Sequence, residues 1–239
     1  MASTQTEQGN IPAQPPFTSW RSDYHYFVGV DLGQSQDPTA LCVLQACEEV
    51  GDPTEPARYV YDVRHLMRFP LGMSYPAIVK EVGIILSRPP LGLHTELIID
   101  ESGVGRAVGD IFNQHGLNPV KVTITFGEEE GQSGFARYTV PKKVLISNLD
   151  ALMHTGELRI AQDLREAPAL ETELKDFRRH VSEAGRSTYR AREGQHDDLV
   201  LAVAIAAWRA VRKKKSFSRS SRPEPRVILG YERFKRRRS

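Results

Sequence analysis

Hydrophobic positions change period along the chain. Tyr26 to Leu32 is a short apolar run, mostly β-formers, that closes on Asp31-Leu32-Gly33. Thr39 to Gln45 is a second apolar run, residues 48–57 read as a turn, and Tyr59, Tyr61 and Val63 alternate within Arg58 to His65. Three such runs with short connections predict an antiparallel meander. From Tyr75 the spacing becomes helical: Ile78, Val79, Val82, Ile85 and Leu86 share one face, and Pro89-Pro90 ends the segment. Leu97 to Asp100 then reads as a buried strand, Gly103 to His115 as a helix closed by Gly116, and Pro119 to Phe126 as a strand. Pro141 opens a helix with Val144, Leu145, Leu149 and Leu152 on one side and Gly156 at its end. A strand at Leu158 to Ile160, a helix at Pro168 to Phe177 and a long helix from His196 to Arg212 follow. A meander followed by strand–helix alternation predicts an α/β domain, a mixed sheet flanked by helices. Residues 127–137 are Gly-rich and acidic and read as a mobile loop; 182–195 are polar and 213–226 basic and Ser/Pro-rich, so flexible.

Composition adds bounds. With 239 residues, 40% hydrophobic and 26% charged, the chain fits one good-sized domain with tails, and its core needs no disulfide or structural metal. The expected division is a disordered leader at 1–22, a domain at 23–212 and a basic tail at 213–239. Cys42 and Cys47 lie in an apolar stretch without CxxC spacing and read as buried free thiols. No run of about 18 apolar residues occurs, so no membrane span is expected, and the polar N-terminus lacks the pattern of a signal peptide. A cytoplasmic protein is the expectation. The net charge of +2 hides an asymmetry: Arg209 to Ser239 carry 13 Lys or Arg and 2 acids, leaving 19 bases against 28 acids in the first 208 residues. An acidic body with a basic tail suggests a polyanion partner or a solvated extension.

Four acids stand out by position. Asp31 ends the first apolar strand, Asp100 ends Leu97-Ile98-Ile99, and Asp197 and Asp198 open the apolar helix. An ionised carboxylate beside a core strand is costly unless paired or holding a cation. Singly, each also fits a turn or helix cap. Jointly, two strand-end acids and a helix-start acid are what a cation site draws from such a sheet. Oxygen ligands without Cys or clustered His select Mg²⁺ or Mn²⁺, and two such ions can activate water and stabilise a leaving oxygen in phosphodiester cleavage.

The segments VGVDLGQSQDPTALCVL (28–44), LIIDESGVG (97–105) and HDDLVLAVAIAAW (196–208), with VPKKVLISNLDALMHTGELRI (140–160), resemble the nuclease domain of phage large terminases, a member of the RNase H and Holliday-junction-resolvase superfamily. The resemblance covers roughly 24–212, in order. It implies an RNase H-like fold and a metal-dependent endonuclease that cuts double-stranded viral DNA concatemers at the start and end of packaging. Carried over, Asp31, Asp100 and Asp198 match the metal-binding catalytic acids and Asp197 a neighbouring acid that contributes in some members. Two Mg²⁺ or Mn²⁺ ions are implied, as are a packaging ATPase domain, a small terminase subunit and a portal protein as partners, in the host cytoplasm. No GxxxxGK[ST] sequence occurs, so DNA translocation is not assigned to these residues.

Softer candidates surround these. His196 fits a helix cap, an orienter of an acid, or a contact to a metal-bound water or phosphate. Lys142 and Lys143 begin a helix and suit phosphate or a solvated face. Arg178, Arg179, Arg186, Arg190 and Arg192 flank a polar segment near the HDD motif and suit the DNA backbone. The rival readings are a resolvase-like or transposase-like nuclease on the same fold, a DNA-binding or portal-docking module without activity, and a sugar-kinase or actin-like ATPase. The last needs a second half and a Gly-rich adenosine motif, neither of which is visible.

Overall fold

The computed structural model describes residues 20–21, 24–33, 37–50, 58–92, 94–103, 106–183 and 197–220. Among the described residues nine strands form one mixed sheet. Its centre is the meander β2 (His25–Asp31), β3 (Ala40–Val50) and β4 (Arg58–Arg68), paired antiparallel. Parallel strands extend it on the β2 side: β5 (Thr95–Asp100), β6 (Val120–Thr125) and β8 (Arg137–Pro141). The short β7 (Gly131–Gln132) closes that edge, β9 (Leu158–Ile160) lies parallel to β4 at the other, and β1 (Trp20–Arg21) pairs with the end of β3.

Helices cover both faces. α3 (Lys142–His154), α4 (Ala167–Glu183) and α5 (Asp198–Ser220) lie on one side, where Leu145, Leu149, Leu170 and the Leu199–Ala207 run pack on Phe27, Cys42, Leu44, Tyr61 and Ile98. α1 (Tyr75–Leu86) and α2 (Arg106–Gln114) lie on the other, where Ile78, Val79, Val82, Val108 and Phe112 meet Val28, Val30, Leu41, Val43 and Ile99. Strand alternation explains the division: Val28 and Val30 face one layer, Phe27, Gly29 and Asp31 the other. Both cysteines are buried and not joined in a disulfide, as expected. No described helix is long and apolar enough to cross a membrane.

α1 spans the range that its apolar spacing predicts, entered through Ser74 with a proline in its first turn. Gly156, at φ 64°, follows α3 in the left-handed conformation that closes a helix. Four expectations need correction. β3 continues through Glu48 and Glu49, where a turn is expected, because Tyr59 and Arg58 of β4 pair with them. Residues 131–132 and 137, expected within a mobile loop, form β7 and the start of β8. Pro141 is the extended last residue of β8 (ψ 134°), pairing with Thr125, and α3 starts one residue later. α5 runs past Arg212 to Ser220 because Lys and Arg are good helix formers, and the composition of 213–220 does not oppose the helix. In the expected leader, Trp20 and Arg21 pair with Val50 and Glu49; residues 1–19 lie outside the described residues, as do 221–239 of the tail.

Candidate active site

Asp31 ends β2 and Asp100 ends β5, and these parallel neighbours are in register with residue 31 opposite residue 100. The row continues through Ala40 of β3 to Arg68 of β4. Ala40, the smallest side chain in the row, leaves space between Asp31 and Arg68. Both strand-end acids face the α5 layer. Asp197 precedes α5 and Asp198 begins it.

A main-chain contact brings that helix in. A Cβ built on Gly29 would lie 2.1 Å from the Ala202 carbonyl oxygen and 3.1 Å from the Ala206 Cβ, so α5 rests on bare strand backbone. Glycine on the strand and alanine on the helix permit this approach. Asp31 is two residues along β2 from that contact, and Asp198 is about one turn back along α5. The closeness of sheet and helix therefore carries the helix-borne acid to the strand-borne pair.

The electrostatics report the crowding. Burial pushes the Asp31 carboxyl well above its usual range, and Asp100, Asp198 and Asp197 push it further, against Lys142. Burial also raises Asp100, although the Ser102 hydroxyl, the backbone of Ser102 and Ile124, and Lys142 all favour its ionised form. The Ser102 amide donates to Asp100 Oδ1 at 2.8 Å and its hydroxyl donates to the same oxygen. Lys142 Nζ donates to Asp197 Oδ2 at 2.5 Å. Lys143, one residue on, pairs with Glu128.

Three residues at this site were not singled out from sequence: Arg68, Glu166 and Glu173. Arg68 Nη1 is 3.1 Å from Glu166 Oε2, its Nη2 donates to Glu173 Oε1, and its Nε lies 3.8 Å from Asp198 Oδ2. Glu173 Oε2 accepts the Val200 amide at 3.1 Å. Burial pushes Glu173 up to about 7; the Val200 amide and Arg68 oppose the rise, and Asp198 and Asp197 add to it. The sequence does hold a signal for Glu173. It is three residues from the fully buried Leu170, so it stands on the apolar face of α4. Likewise Arg68 follows Leu66 by two and so faces inward from its strand.

Glu101, beside Asp100, turns to the opposite layer, where Arg137 Nη1 meets its Oε1 at 2.5 Å. His196, Arg186, Arg190 and Arg192, and the side chains of Arg178 and Arg179, lie outside the described residues. Among the described residues, no three Asp, Glu, His or Cys side chains close around a point as a ready metal cage. What the arrangement holds is an excess of buried carboxylate oxygen over the cations Arg68 and Lys142. That donor set suits a hard divalent cation.

The terminase large subunit of Thermus phage G20c is 25% identical to this chain over 193 residues, covering 78% of this chain and 32% of that protein. The large subunit of Thermus virus P23-45 matches to the same extent. The chain thus spans about a third of the length of these curated relatives. The crystal structure of the large terminase nuclease from phage G20c shares the fold, with a TM-score of 0.51 at 24% identity over 79% of this chain and 84% of that one. No family model matches the chain. The mixed sheet is RNase H-like, and the chain is similar in sequence and fold to the phage large-terminase nuclease domain that its motifs resemble.

Proposed function

We propose that this chain is a metal-dependent endonuclease that hydrolyses phosphodiester bonds of double-stranded viral DNA concatemers during genome packaging. The observation that carries the reading is the acid row: Asp31 opposite Asp100, with Asp198 and Asp197 brought against them by α5 and, among the described residues, more acids than the cations Arg68 and Lys142 balance. Burying such an excess is costly unless a cation joins it.

Asp31, Asp100 and Asp198 would hold the ions, with Asp197 contributing beside them. Mg²⁺ or Mn²⁺ bound there supplies a polarised water and charge neutralisation at the departing 3′ oxygen. The chain's own part is placement. Ser102 ties Asp100 Oδ1, which leaves the other oxygen for a ligand role. Lys142 holds Asp197 and moderates the charge on Asp31. Lys142, Lys143, Arg178, Arg179, Arg190 and Arg192 are assigned to the DNA backbone, and His196 to an accessory role beside the acids. Lys143 reaches a phosphate by exchanging Glu128 for it.

In this reading residues 23–212 form the nuclease domain and 213–239 a basic extension. The chain works in the host cytoplasm with a packaging ATPase domain, a small terminase subunit and a portal protein. The test is plasmid cutting with and without Mn²⁺, beside calorimetric titration of Mn²⁺. Wild type is expected to bind Mn²⁺ and to cut only in its presence. Asp31→Asn is expected to lose both, and an unchanged Asp31→Asn would reject the site.

A further inference from the structure

α5 begins without help from its own cap residue. The first main-chain hydrogen bond of this helix runs from the Leu201 amide to the Asp197 carbonyl at 2.9 Å, so the amides before Leu201 have no carbonyl of the helix to meet. A side chain at position 197 would ordinarily accept one of them. Here the Asp197 carboxylate is engaged by Lys142 instead. The Val200 amide is met from outside, by Glu173 Oε2 of α4 at 3.1 Å. The other oxygen of Glu173 receives Arg68, and Arg68 also reaches Glu166 and stands 3.8 Å from Asp198. Both oxygens of Glu173 therefore receive donors, one from the start of α5 and one from Arg68.

We propose that Glu173 is a positioning residue for Asp198: it caps the first turn of α5 from the neighbouring helix. The proposal rests on the nuclease reading above. Its physical content is that Asp198 occupies the first residue of a helix, where fraying is easiest, and a buried cap borrowed from α4 removes that freedom. Occupation of the cap by Glu173 also leaves Asp197 available to Lys142 and the acid row. The interaction that matters is acceptance of the Val200 amide, which a neutral amide side chain can also provide.

Glu173→Ala and Glu173→Gln separate this task from the others. Wild type is first titrated with Mn²⁺ and assayed for cutting; a wild type that does neither overturns the nuclease reading and this proposal with it. Given an active wild type, Glu173→Ala is expected to weaken Mn²⁺ binding about tenfold to a hundredfold, the range for residues that orient ligands. It should lower kcat with KM for DNA unchanged, and speed hydrogen exchange at the Val200 amide. Glu173→Gln is expected to stay near wild type in all three. Unchanged Mn²⁺ affinity in Glu173→Ala overturns the proposal while leaving the nuclease reading intact. So does a Glu173→Gln variant as weak as the alanine, because charge would then be the role. Should Glu173→Ala fail to fold, the glutamine variant decides alone: wild-type Mn²⁺ affinity and Val200 protection support the cap, and loss of either rejects it.

Discussion

Two clusters of charge lie on opposite faces of one sheet and follow opposite rules. On the α2 side, Glu101 receives Arg137 at 2.5 Å, and Lys121 stands 3.7 Å from Asp110. Lys121 Nζ and Glu101 Oε2 share the space that a side chain at Gly109 would fill, at 3.2 and 3.1 Å from the built Cβ. Two bases meet two acids there. On the α5 side, the carboxylates of Asp31, Asp100, Asp197, Asp198, Glu166 and Glu173 share Arg68 and Lys142. In the first cluster acids and bases are equal in number, and the Arg137–Glu101 pair serves the fold. Among the described residues the second holds more acids than bases, an arrangement that favours the binding of a cation.

Removing one charge from each cluster should therefore have opposite consequences. The largest effect is expected from Asp31→Asn. Cutting should fall roughly a thousandfold or more, about 4 kcal/mol of barrier. The metal-free protein should become more stable, with a higher melting temperature, since an acid pushed up by burial and by three neighbouring aspartates is gone. A lower melting temperature would show that the acids are structural. Arg137→Ala should do the reverse: about 2–4 kcal/mol less stable by urea unfolding, because Glu101 stays buried without its main partner, while the folded fraction still cuts normally. A loss below about 0.5 kcal/mol would erase the distinction between the clusters.

The smallest expected effect is a pH slope. Asp31, Asp100 and Glu173 all hold protons more tightly folded than unfolded, Glu173 up to about 7. From the ordinary carboxylate range up to about 7 the folded state then binds more protons than the unfolded one, so stability of the metal-free protein should fall as pH rises through that window. Melting curves across it should show this decline, shallower in Glu173→Gln and offset by Mn²⁺. A metal-free melting temperature that climbs over the same window would contradict the acid excess.

Much of this was legible in the chain itself. Asp31 and Asp100 stand out because each ends an apolar strand, and the Leu199–Trp208 run makes the helix behind Asp198 unmistakable. The α1 range follows from five apolar residues at helical spacing. β8 was missed because its five residues, RYTVP, carry too little pattern to outweigh the glycines before them and the proline at their end. Arg68, Glu166 and Glu173 were missed for a deeper reason. Arg68 and Glu173 are 105 apart in sequence, and no local spacing announces a cap that one helix lends to another. Lys143 illustrates the converse: its motif position is plain, but its pairing with Glu128 comes from the path of the chain after β6.

The contact at Gly29 has a further consequence. Where two elements touch through side chains, a swap of one apolar residue for another adjusts their separation by fractions of an ångström. Here the strand offers only main chain, against a carbonyl, a methyl group and the Ile205 Cγ1. The separation of β2 and α5 beside the acids is thus set in large part by peptide geometry. A side chain at position 29 would therefore push the start of α5 away from the strand-borne pair, whichever apolar residues fill the rest of the interior.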